Sequence, residues 1–273
     1  MKTLIIGTIH PDAKKLLENP EQQEEITRSD AEVLIIRTYT TLGKEELNLL
    51  PNLKYVISCS VGINNIDLDE LKLRNIELIH TPGTNANSVA EHTMYLILSL
   101  LREDAQPYSE LKGKTVGIIG LGYIGKVVAK KLIGFECNVI AFDVIEQDEE
   151  LLKELHVAMK SFDEVIKQAD VLSIHVPLNK HTKHLINEDT FTKMKQGVFF
   201  VNASRAEVVD EEALVRFSNQ GKFRGVGLDV CSKTANFDGK HVIITDHCGA
   251  QGEDSYKNQC VAPIELFLKV SVR

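Results

Sequence analysis

Short runs rich in Ile, Leu and Val recur along the chain, and stretches with helical spacing of apolar residues separate most of them. No other feature constrains the fold as tightly. Short runs that are apolar at nearly every position read as strands covered on both faces. Strands that alternate with helices build parallel βαβ units. One series lies at residues 3–7, 33–38, 54–59 and 76–80, and a second at 115–119, 139–143, 171–176, 198–202, 225–230 and 242–245. Between them the spacing predicts a long apolar helix over 88–102, followed by a polar connection over 103–111 that contains Pro107. The C-terminal segment 253–270 reads as a helix that packs back on the first domain. The expected fold class is α/β, with two doubly wound parallel-sheet domains and a cleft between them.

A length of 273 residues fits about two domains of ~150 residues. Hydrophobic residues make up 43% and charged residues 26%, as in globular chains. The net charge of −8 disfavours nucleic acid, whose binding rests on Lys and Arg neutralising phosphates. A small anionic substrate needs only one or two local cations and stays allowed. No apolar run approaches the ~20 residues of a membrane span, and the first ten residues lack the features of a secretory signal. Five scattered cysteines, none in a CxxC pair, fit reduced thiols in a cytoplasmic protein. No His, Cys and carboxylate cluster has metal-ligand spacing along the sequence, so no metal is expected.

Gly120-Leu121-Gly122-Tyr123-Ile124-Gly125 follows the run 115–119 and opens a helical pattern over 124–132. In that context Gly120 permits the tight turn, Gly122 lets the backbone approach a pyrophosphate, and Gly125 permits close helix–strand packing. The N–H groups of Tyr123 and Ile124 lie where the new helix offers partial positive charge to phosphates. Asp143 ends the next strand, where its carboxylate would accept hydrogen bonds from both ribose hydroxyls of NAD. The same carboxylate would repel a 2′-phosphate, and Val144-Ile145-Glu146 supplies no Arg to compensate. NAD is therefore the expected cofactor, on a Rossmann-like domain.

With this site placed, the chain resembles the D-isomer-specific 2-hydroxyacid dehydrogenases along nearly its whole length. Ser60-Val61-Gly62-Ile63-Asn64-Asn65-Ile66-Asp67 is similar to the family's GVGxDNID loop, and residues 81–91 to its TPGxNxxSVAE segment. His175-Val176-Pro177 matches a third-strand signature, Val201-Asn202-Ala203-Ser204-Arg205 a VNxxR block, and Gly227-Leu228-Asp229-Val230 and Thr245-Asp246-His247 the last two blocks. The resemblance implies a flavodoxin-like substrate domain over 1–91 plus 250–273 and an NAD-binding Rossmann domain over 92–249. It implies hydride transfer between the nicotinamide and a small 2-keto or 2-hydroxy acid. Ser60, Val61 and Gly62 would hold the substrate carboxylate, with Asn85 stabilising that loop. Arg205 would orient the carboxylate, and a guanidinium suits that role through its bidentate geometry. His247 would move the proton, as imidazoles do near neutral pH. Gly120, Gly122, Tyr123, Ile124, Gly125, Asp143, His175, Val176, Pro177 and Ala203 would line the cofactor site, and Asp229 would lie near the nicotinamide carboxamide.

The chain also departs from the family. The Glu that pairs with the catalytic His falls, by counting, on Thr234, and 231–240 contains only one carboxylate, Asp238. Asp246 replaces a common Pro, Asn64 a common Asp, and Ala206 a common Gly. A carboxylate beside an imidazole raises its pKa and fixes its tautomer. Three outcomes stay open at this point: Asp238 or Asp246 substitutes, the enzyme is slow, or the chain binds NAD as a sensor or scaffold without turnover. The connection 103–111 is shorter than the family's dimerisation arm, and the chain has no Trp, so the implied homodimer is equally open.

Overall fold

In the computed structural model, which describes residues 1–102, 108–232, 236–238 and 241–271, the apolar runs form two all-parallel sheets. The chain divides into two units, Met1–Asn85 with Gln251–Arg273, and Ala86–Ala250. The first unit carries β1 (Thr3–Ile6), β2 (Glu21–Gln23), β3 (Val33–Ile36), β4 (Tyr55–Ser58) and β5 (Glu77–Ile79), in the order β2-β1-β3-β4-β5. This is a doubly wound order whose switch point lies between β1 and β3. Alternation along the strands feeds two cores. Leu4, Ile6, Leu34 and Ile36 face Leu47 of α2 (Lys44–Asn48) and Leu71 of α3 (Leu68–Leu73). Ile5, Val33, Ile35 and Ile57 face Ala13 of α1 (Pro11–Lys14) and Cys260, Ile264 and Phe267 of α10 (Glu253–Val270). The C-terminal helix thus closes the first unit, as its sequence pattern implies.

The second unit begins with α4 (Ala86–Arg102) and contains seven strands: β6 (Thr115–Ile119), β7 (Asn138–Phe142), β8 (Val157–Met159), β9 (Val171–Ile174), β10 (Val198–Asn202), β11 (Phe223–Leu228) and β12 (Val242–Ile244). Their order is β12-β11-β10-β9-β6-β7-β8. One face of the sheet packs on α4 and α5 (Tyr123–Leu132), with α6 (Glu149–Glu154) at the β8 end. The other packs on α7 (Phe162–Gln168), α8 (Glu188–Lys193) and α9 (Glu211–Asn219). Residues 86–91, grouped with the first domain on sequence, form the opening turns of α4 in the second unit, because the helix starts at Ala86. Among the described residues no helix is long and apolar enough to cross a membrane, and all five cysteines are free thiols.

Candidate active site

The second sheet reverses its winding between β6 and β9, so a crevice opens above the carboxyl ends of those strands. The glycine turn fills one side of it. Gly120 has φ +96°, and Gly125 packs so close that an added Cβ would clash with the Gly120 carbonyl oxygen. His175-Val176-Pro177 fills the other side. A Cβ on Gly120 would meet the His175 carbonyl and the Val176 side chain at 2.9 Å. The His175 N–H donates to the Ile119 carbonyl at 2.7 Å, its Nε2 lies 2.8 Å from the Ser173 hydroxyl, and burial pushes its pKa down to about 4. This histidine is therefore neutral at physiological pH and structural in character.

The turn fits a dinucleotide. A Cβ at Gly122 would have no heavy atom within 4 Å, so space is open where the backbone would meet a pyrophosphate. Tyr123 begins the ten-residue α5 with 64% of its surface exposed, and Ile124 follows it. Asp143 accepts the Leu121 N–H at 2.6 Å on one oxygen and the Ile145 N–H at 2.8 Å on the other. It thereby fastens the end of β7 to the glycine turn and fixes where a ribose would find its acceptor. The next side chains, Val144 and Ile145, are exposed and carry no cation.

Arg205, Ala203, Asp229 and His247 all leave the same edge of this sheet. Asn202, the last residue of β10, organises the turn that carries Ala203 and Arg205. Its Oδ1 accepts from the Ser204 N–H at 3.0 Å and the Ser204 hydroxyl at 2.8 Å, and its Nδ2 donates to the Arg205 carbonyl at 3.0 Å. Arg205 is half-buried, with one guanidinium N–H on the Ser204 carbonyl at 2.7 Å. His247 is exposed just past β12, in a left-handed conformation with φ +48°. The ends of β10 and β12 are two strands apart, about 10 Å at the usual spacing, with β11 and Asp229 between them.

Asp229 is buried and anchors the His247 turn. It accepts the Thr245 hydroxyl at 2.6 Å, the Cys248 N–H at 2.9 Å and the Gly249 N–H at 3.0 Å. His92 of α4 joins through Nε2, 2.9 Å from the Thr245 hydroxyl oxygen and 3.2 Å from Asp229. Sequence reasoning missed Asn202, His92 and Thr245 as site-forming residues. It also placed no metal-ligating cluster, whereas the fold brings ligand atoms of His92, Asp229 and Cys248 within 4.8 Å of one another.

Of the carboxylates considered in place of the family Glu, Asp238 is directed elsewhere. Its carboxylate accepts from Asn219 Nδ2 at 3.3 Å, and its N–H donates to Asn219 Oδ1 at 3.0 Å. Asn219 ends α9, which runs antiparallel to the strands, so this pair lies at the amino edge of the sheet, opposite His247. Asp246 is exposed beside His247, and Thr234 and residues 103–107 lie outside the described residues. At the carboxyl edge, Glu211 accepts the Ser232 N–H at 2.7 Å. Burial, and then the Glu211 carboxylate, push the Cys231 thiol up to about 11.

In the first unit the matched loop follows β4. Ser60 is buried and accepts the Thr38 N–H on its hydroxyl at 3.0 Å, and its carbonyl accepts from the Ser58 hydroxyl at 3.4 Å. Val61 and Gly62 are half-buried beyond it. Asn65 steadies the same loop by donating to the carbonyls of Arg37 at 3.1 Å and Thr40 at 2.6 Å. Asn85 Oδ1 is buried with no hydrogen-bond partner among the described residues, so it makes no such contact through that atom.

A family model described as the NAD-binding domain of D-isomer-specific 2-hydroxyacid dehydrogenases matches residues 83–249. The chain is 35% identical over 269 residues to the D-3-phosphoglycerate dehydrogenase of Bacillus subtilis, covering 91% of this chain and 51% of that one. It is 31% identical over 294 residues to the hydroxypyruvate reductase of Thermotoga maritima, covering 94% of each. The chain thus spans about half the length of the phosphoglycerate dehydrogenases it matches. Among solved structures, the D-lactate dehydrogenase of Aquifex aeolicus complexed with NAD and lactic acid superposes with a TM-score of 0.84 at 30% identity, over 99% of this chain and 96% of that one.

Proposed function

The chain belongs to the D-isomer-specific 2-hydroxyacid dehydrogenase family, and from that premise we propose that it is a cytoplasmic NAD-dependent oxidoreductase acting on a small 2-keto or D-2-hydroxy acid. The observation that carries the reading is the shared sheet edge. The glycine turn, Arg205, Asp229 and His247 all leave the carboxyl ends of strands in one parallel sheet. NAD(H), when bound, supplies or accepts the hydride at nicotinamide C4. The chain's own groups do the rest. The N–H groups at the start of α5, with Gly120, Gly122 and Gly125, take the pyrophosphate. Asp143 takes the ribose hydroxyls, which favours NAD over NADP because a 2′-phosphate would face a carboxylate. Arg205 grips the substrate carboxylate through its bidentate guanidinium. His247 donates a proton to the C2 oxygen as a keto acid is reduced, and accepts it as a hydroxy acid is oxidised.

The relatives' names span phosphoglycerate, hydroxypyruvate and lactate chemistry, which agrees with a small 2-keto acid without choosing one. NADH consumption with glyoxylate, pyruvate, hydroxypyruvate and phenylpyruvate tests the proposal. Turnover with at least one is expected, and Arg205→Ala should lower kcat/KM about 10²- to 10³-fold with NADH binding retained. NADH binding without turnover of any acid would favour a sensor or scaffold. Gel filtration of the same protein decides whether it forms a homodimer.

A further inference from the structure

His92 stands on α4, far in sequence from Asp229 and from Thr245-Asp246-His247, yet packing delivers it to them. Along β11, a Cβ at Gly225 would meet Leu100 at 3.0 Å, and one at Gly227 would meet Leu100 at 3.2 Å and Leu96 at 3.3 Å. Two residues of strand advance about 6.6 Å, and four residues of helix about 6 Å. The next step in this register takes the strand from Gly227 to Asp229 and the helix from Leu96 to His92. The strand's small–x–small–x–Asp pattern and the helix's His–xxx–Leu–xxx–Leu pattern thus meet in register, and His92 reaches Asp229 at the carboxyl edge.

Proton accounting fixes its state there. The Thr245 hydroxyl has one proton and gives it to Asp229 at 2.6 Å. Its oxygen is left as the acceptor facing His92 Nε2 at 2.9 Å, and the Asp229 oxygen at 3.2 Å is an acceptor too. Nε2 must therefore carry a hydrogen. The same carboxylate receives the N–H groups of Cys248 and Gly249, the two residues that follow His247. His247 itself has φ +48°, a left-handed conformation that strains a non-glycine residue and needs its neighbours to hold it.

We infer that His92 is a positioning residue: through Thr245 and Asp229 it holds the turn that aims His247. This rests on the dehydrogenase reading of the site. A metal role for the same cluster is less consistent with the geometry. The Asp229 oxygens already accept three donors, and the Cys248 thiol is held above its ordinary pKa by burial and by the Asp229 charge. A cation would have to break those bonds and deprotonate that thiol.

The test compares His92→Phe, which keeps a ring and loses the N–H, with His92→Gln, which keeps a donor. In the Phe variant kcat should fall about 10- to 100-fold, with the keto-acid KM and the NADH affinity within about threefold of wild type. The Gln variant should recover at least about a third of the rate. Amide exchange of Cys248 and Gly249 should quicken about tenfold in Phe and return in Gln, while exchange across α4 stays unchanged. Equal losses in Phe and Gln, or a kcat within twofold of wild type in Phe, overturn the inference. If the wild-type chain turns over no acid, the dehydrogenase reading fails by itself, and the exchange rates decide the positioning role. Unchanged exchange at Cys248 and Gly249 in Phe sinks it.

Discussion

At the scale of single residues, Asp143 does two things with one carboxylate. It ties the glycine turn to β7 through the Leu121 N–H, and it closes its own turn through the Ile145 N–H. Both bonds hold a negative charge where a ribose edge would arrive. Asp143→Ser should therefore weaken NADH binding about tenfold and narrow the preference for NADH over NADPH, as read by nucleotide fluorescence titration. An unchanged preference would place cofactor discrimination elsewhere. Asp143 was legible in the sequence because its signal is local: a strand, a glycine turn, a helix, a second strand and an acid. Arg205 and His247 were legible only through flanking motifs, since a lone Arg or His carries no address. His92 was not legible at all. Its partner Thr245 lies 153 positions away, and only the packing of α4 on β11 brings them together. Asp238 was misleading for the converse reason: it is close to the expected position in sequence, but its bonds to Asn219 hold it at the amino edge.

Between elements, α4 on β11 is the contact on which the site's geometry depends. The strand offers Gly225 and Gly227 so that Leu96 and Leu100 can approach its backbone, and the helix axis then sits close enough for His92 to reach Asp229. Gly227→Ala puts a methyl 3.2–3.3 Å from Leu100 and Leu96. Both neighbours are buried and held by the core, so the helix has to shift. The variant should lose about 1–3 kcal/mol, measured by urea denaturation, and its NADH-linked rate should fall further than its stability alone explains. A variant as stable as wild type would mean that α4 gives way freely. Most of the element order was legible, because buried parallel strands are continuous apolar runs. The two missed strands, β2 and β8, are three-residue edge strands. β2 is Glu-Gln-Gln and has no apolar signal, and β8 pairs on one side only. Several expected strands also ran long, because apolar residues such as Val176 continue past the last ladder bond, while the expected 225–230 sits two residues late against β11.

For the molecule as a whole, the buried His175 couples the cofactor crevice to acid stability. Burial holds its folded pKa at about 4, against about 6.5 for an exposed histidine. Below pH ~6.5 the unfolded chain binds a proton that the folded chain refuses until pH ~4. The unfolded state therefore holds more protons across that window, and stability falls as pH drops through it. By pH ~4.5 the loss from this one group is about 2–3 kcal/mol, and below pH ~4 it levels off. His175→Gln keeps a side chain able to bond the Ser173 hydroxyl but has no proton to gain. Its urea midpoint should fall less than that of wild type between pH ~7 and ~4.5, even if the variant starts lower at neutral pH. The carbonyl of this same residue lies against Gly120, so the folded chain resists protonating a side chain at the wall of its own glycine turn. NADH affinity at pH ~5 should then decline less steeply in the variant than in wild type. Parallel acid limbs in the two proteins, for both stability and NADH binding, would show that other groups set the acid response and that His175 is protonated without cost.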